Sequence, residues 1–188
     1  MNGDAVKLTV TTHKVFGHRA TQRTAQYLAD QAGRLVARSV SGRMPDVQIV
    51  LTNARGLAEL ATAAEAELAG GVDRRALDRE MRHAVREARN AAGRAVARTD
   101  GSVLVLVNID QHRTPEDFAV TLVHELVHAM QFSRKGVRER IIRDRRHCFG
   151  VERQTRRQER EHERLLNQEE NEAYGREFLA KQLTAAAA

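Results

Sequence analysis

Residues 114–131, TPEDFAVTLVHELVHAMQ, constrain this chain more than any other stretch. They enclose an HExxH pattern, His124-Glu125-Leu126-Val127-His128, in an apolar setting. On a helix, positions four apart share a face, so both imidazoles can reach one metal ion. Glu125 projects about 100° round from His124, which sets its carboxylate beside that ion. The flanks supply the helix. Thr114 is a suitable N-cap, Pro115 suits the first helical position, and Glu116 and Asp117 suit the positive end of the dipole. Phe118, Leu122, Val123, Leu126, Val127 and Met130 make the helix apolar on most sides, as a buried helix requires. A charged Glu among such residues is costly to bury without a partner, and a metal is such a partner.

A catalytic zinc needs a third protein ligand and keeps one position for water. Metzincin spacing would put a glycine at position 131 and a histidine at 134, where this chain has Gln131 and Arg134. The candidates lie further on: His147, Glu169, Glu170 and Glu172. Glu172 falls on one helical stripe with Gly175, Leu179 and Leu183, so it is the expected ligand. Glu169 is next, and Glu170, sharing a face with Leu166 and Ala173, ranks below it. These carboxylates also read as a solvated helix N-terminus.

The rest of the chain sets the frame. Its 188 residues suit one domain over 1–188, and a single cysteine, Cys148, excludes an internal disulfide. The start lacks the layout of a signal peptide, and the longest apolar run is Val103–Val107, so a cytoplasmic setting without a membrane is expected. Residues 6–10, 46–52 and 102–109 read as strands; 20–40, 57–68, 73–98, 137–146, 152–166 and 168–183 read as helices. The fold class expected is α+β: a small, mostly antiparallel sheet packed on one side by the HExxH helix and its neighbours. Strand 102–109 is near enough to that helix to help hold an extended substrate.

Charge is uneven. Residues 134–164 hold twelve Lys/Arg against six Asp/Glu, a surplus equal to the net +6 of the chain. A basic helical insertion at about 134–166 is therefore expected, and it can attract an acidic partner or nucleic acid. Interleaved signs of this kind also suit a solvated helix face. The arginines opposite the apolar face of 73–98 read as solvated surface.

VLVNID, TPEDFAVTLVHELVHA and NEAYGREFLA together resemble the layout of minimal gluzincins of the ImmA/IrrE type. The likeness covers roughly residues 103–132 and 169–183. It implies zinc held by His124, His128 and Glu172, Glu125 as general base, and hydrolysis of peptide bonds in a protein or peptide substrate. Two features depart from it: the 44-residue interval from His128 to Glu172, and Tyr174-Gly175 after the EA pair. A SprT-like, DNA-associated metalloprotease would use His147 instead, although His147-Cys148-Phe149-Gly150 fits that pattern poorly. A third possibility is a non-catalytic basic adaptor for nucleic acid.

Overall fold

The computed structural model describes residues 6–15 and 19–185. In chain order the elements are β1 (Leu8–Thr12), α1 (Arg19–Ser39), β2 (Val47–Thr52), α2 (Ala54–Ala69), α3 (Arg74–Glu87), β3 (Gly93–Ala97) and β4 (Val103–Asn108). There follow α4 (Pro115–Phe132), α5 (Val137–Cys148), α6 (Arg156–Tyr174), a 3-10 turn (Glu177–Leu179) and α7 (Ala180–Ala185). The class is α+β, with one open mixed sheet among the described residues.

That sheet has the order β1-β2-β4-β3. β1 runs parallel to β2 and β2 parallel to β4; β3–β4 is the antiparallel pair. The expectation of a mostly antiparallel sheet is thus corrected. Its cause is connectivity. α1 returns the chain from β1 to the starting end of β2, as helical crossovers do, whereas the turn at Asp100-Gly101 folds β3 directly back on β4. Gly101 takes φ +89° there, a conformation that favours glycine.

Helices cover both faces rather than one. Val47, Ile49, Leu51, Val103, Val105 and Val107 meet α1 and α4 in one core, and Val50, Leu104, Leu106 and Val96 meet α2 and α3 in another. The alternation follows the two-residue period of strands. Strands buried on both faces are continuously apolar, as β4 is in VLVLVN.

The segment read as one helix over 73–98 divides. α3 ends at Glu87, and Gly93–Ala97 is the edge strand β3. The expected helices 152–166 and 168–183 also redraw: α6 runs unbroken from Arg156 to Tyr174, and the chain then tightens into the 3-10 turn before α7. α4 begins as its sequence requires. Thr114 accepts from the Asp117 N–H, and the Asp117 carboxylate accepts from the Thr114 N–H. Leu122, Val123, Leu126, Val127 and Met130 are fully buried. Truncating a leucine here to alanine costs about 2–5 kcal/mol.

The first part of the basic segment, α5, is built into the fold. Arg138 donates to the carbonyls of Arg98 and Thr99, and Arg146 to the carbonyl of Ala69. α5 is thereby tied to the ends of β3 and α2. Among the described residues, no helix is long and apolar enough to cross a membrane.

Candidate metal centre

α4 lies along β3 and puts one face into a cleft of about 600 Å³. Val120, His124, His128 and Phe132 follow one another on that face at steps of four, with Thr121 and Glu125 beside them. α6 forms the opposite wall with Leu166, Glu170 and Tyr174, again at steps of four.

The two Nε2 atoms of His124 and His128 are 3.1 Å apart. Glu170 reaches both, with oxygens 3.4 Å from His124 Nε2 and 3.3 Å from His128 Nε2. These three residues could hold a metal ion. Zinc bound to nitrogen and oxygen at about 2.0–2.1 Å has tetrahedral edges of about 3.3–3.4 Å, close to the separations here.

The outer nitrogens strengthen the fit. His124 Nδ1 lies 2.9 Å from Glu177 Oε1, and His128 Nδ1 lies 2.8 Å from Gln131 Oε1. Gln131 donates its amide N–H groups to the Glu169 carbonyl and to Glu172 Oε2, so its oxygen must face His128. Each Nδ1 therefore has an acceptor and carries the proton in the neutral imidazole, leaving both Nε2 lone pairs aimed at one point. Two lone pairs and a carboxylate converging there call for a cation.

Electrostatics agree. Burial alone would depress His124 and His128, yet the carboxylates outweigh it, Glu170 foremost, and hold both above the ordinary imidazole value. When protonated, the same two histidines donate to Glu170 and pull it far below the usual carboxylate range. Glu125 behaves oppositely: burial pushes its carboxyl up, against the pull of His128 and His124.

Glu125 meets the sheet at the free edge of β3. There the nearby backbone of Ala95 offsets, in small part, the effect of burial on its carboxyl. A Cβ at Gly93 would fall 2.8 Å from Glu125 Oε1 and 2.7 Å from Thr121 Cγ2, so the close approach of α4 requires glycine. Ala92 accepts from the Asn108 N–H of β4 and Arg98 donates to the Ser102 carbonyl just before it, and by alternation Gly93, Ala95 and Ala97 turn their backbone groups away from β4, towards the cleft. β4 is paired on both sides, so the expectation that strand 102–109 holds substrate is corrected: the sheet edge that borders the cleft is β3.

His124, Glu125 and His128, the residues singled out in the sequence, line the same cleft. Glu172 does not join them. It lies two residues beyond Glu170, about 200° round the helix, where Arg134 donates to it through two bonds of 2.7 and 2.8 Å. The stripe that favoured it assumed a helix continuing to Leu183, but α6 ends at Tyr174. Glu169 faces Arg140, 2.5 Å away. His147 accepts from the Gln154 N–H and lies 3.2 Å from Glu159, apart from the histidine pair. Gln131 and Glu177 escaped the sequence reading. Gln131 carried a signal, since a polar amide on an apolar helix, three residues after His128, needs a buried partner. Glu177 carried none, because the turn that brings it back breaks helical periodicity.

Compared with family models, with curated proteins and with solved structures, the chain finds no match.

Proposed function

We propose that this chain is a zinc-dependent peptidase of minimal zincin type, with His124, His128 and Glu170 as ligands and Glu125 as general base. The observation that carries the reading is the convergence of His124 Nε2, His128 Nε2 and Glu170 at one point of an open cleft. Three protein ligands beside a cleft suit a catalytic rather than a closed structural site. A zinc ion bound there would acidify a water molecule and polarise a scissile carbonyl.

The remaining work belongs to the protein's own groups. Glu125, its proton affinity raised by burial, accepts the proton of the attacking water and returns it to the departing amine. The free edge of β3 offers the backbone groups of Gly93, Ala95 and Ala97 to an extended polypeptide, which would add as a further strand. Leu166 and Phe132 on one side of the ligands, and Val120 and Tyr174 on the other, offer apolar surface to flanking side chains.

The test uses zinc-loaded protein and an unfolded polypeptide. Wild type should hydrolyse it, while Glu125→Gln should keep its zinc and lose at least about 100-fold in rate, the usual contribution of a positioned base. Undiminished hydrolysis by Glu125→Gln would rule out this mechanism.

A further inference from the structure

The arginines of 134–146 are largely engaged inside the fold: Arg134 on Glu172, Arg140 on Glu169, Arg145 on Asp144, Arg146 on Glu152. α3 is different. Arg75, Arg79, Arg82 and Arg86 recur at steps of four, three and four, which aligns them in one stripe, and all four are exposed. The apolar side of the same helix, Leu77, Ala84, Val85 and Ala88, packs towards the body. The stripe runs about 16 Å along the helix axis at 1.5 Å per residue, and Arg89 extends it past the helix end.

Its charge is partly neutralised: residues 73–89 hold six arginines against Asp73, Asp78, Glu80 and Glu87. Glu80 pairs with Arg79 and Glu87 lies against His83. Among the described residues, Arg75, Arg82, Arg86 and Arg89 have no ion pair, and Asp78 is the unpaired carboxylate of the helix. α6 carries four exposed arginines, Arg156, Arg157, Arg160 and Arg164, more closely interleaved with Glu159, Glu161 and Glu163.

We propose that the α3 stripe binds the phosphate backbone of nucleic acid, independently of the metal site. Guanidinium groups match phosphate oxygens with a pair of parallel donors. A straight row of them at steps of about 5–6 Å suits a ligand whose charges repeat along a line. A bilayer surface fits less well, since no aromatic or large apolar side chain stands among the arginines to enter it. Binding of this kind is set by charge, so it is strongly salt-dependent and indifferent to base sequence. The stripe ends at Arg89, next to Asn90 on the cleft wall, so bound nucleic acid would lie near the cleft mouth.

The experiment is a salt titration of full-length protein on a labelled duplex DNA, read by fluorescence anisotropy. The variant Arg75→Gln/Arg82→Gln/Arg86→Gln should lower the slope of log K against log salt by roughly 2–3, since each phosphate contact contributes about 0.9. Arg157→Gln/Arg160→Gln/Arg164→Gln should change it by less than about 1. Both should melt with wild type, because the replaced side chains are exposed. Vesicles rich in anionic lipid serve as the competing probe and should not discriminate wild type from the α3 variant. Failure of wild type to bind the duplex, an unchanged slope in the α3 variant, an equal loss in the α6 variant, or a loss confined to vesicles would each overturn the proposal.

Discussion

Arg134 grips Glu172 through both terminal guanidinium nitrogens, and this pairing holds Glu172 apart from the candidate metal cluster while tying it to the cluster's support. Glu172 Oε2 also receives the amide of Gln131, whose oxygen faces His128. One carboxylate thereby orients a histidine through an intermediary.

Glu172→Ala should accordingly keep its metal but bind it less tightly, by about 10-fold, as loss of such outer partners does. Gln131→Ala, which removes the acceptor itself, should cost about 10–100-fold. Zinc titration against a competing chelator measures both. An affinity in Glu172→Ala as low as in a ligand deletion would restore Glu172 as a direct ligand. The exposed part of the Arg134 pair contributes at most about 1 kcal/mol to stability.

Glu170, the third member of the candidate metal cluster, is not the residue the sequence favours. Helical periodicity favours Glu172, on the apolar stripe, on the premise that a ligand faces inward. Glu170 is instead about one-third exposed, on the flank where the buried face of α6 meets the cleft. A ligand that shares an open site belongs on such a boundary. α4 was legible throughout because every local signal agreed: cap, proline, dipole charges and apolar faces. β3 was not, since AAGRAVA is rich in helix formers and its strand state comes from pairing with β4 across the Asp100-Gly101 turn. The parallel pairing of β1, β2 and β4 was likewise invisible locally, because it follows from where the crossover helices return the chain.

Gly93→Ala should separate fold from chemistry. The added methyl falls between Thr121 and Glu125 and must push one of them aside. Stability should drop by about 1–3 kcal/mol, as for an overpacked site, with zinc retained and hydrolysis impaired. Melting, zinc content and rate on the same preparation check this. Unimpaired hydrolysis would mean that the Glu125 position tolerates the shift.

Asn108 is fully buried at the end of β4 and donates to the carbonyls of Ala88 and Ala91, fastening the link between α3 and β3. Asn108→Ala leaves those carbonyls without their partner and should cost about 1–3 kcal/mol in denaturant unfolding. A variant as stable as wild type would contradict this role.

The pH dependence of zinc binding follows from the raised histidines. Groups whose folded pKa is raised stabilise the zinc-free protein below their unfolded value of 6.5, and that stability is lost as pH rises through the folded value. Metal binding needs both Nε2 atoms free of protons, so it strengthens in the same direction. The rise in melting temperature on adding zinc should therefore grow from about pH 6 to about pH 8. A zinc-induced shift that is flat across this range would mean that His124 and His128 are not the ligands.

The central claim, that His124, His128 and Glu170 together hold a zinc ion, is tested most directly by metal analysis of purified wild type beside Glu170→Ala. About one zinc per wild-type chain is expected, and little or none in Glu170→Ala, with its fold intact by circular dichroism. A folded Glu170→Ala that still carries a full complement of zinc, or a wild type that takes up none when zinc is supplied, would contradict it.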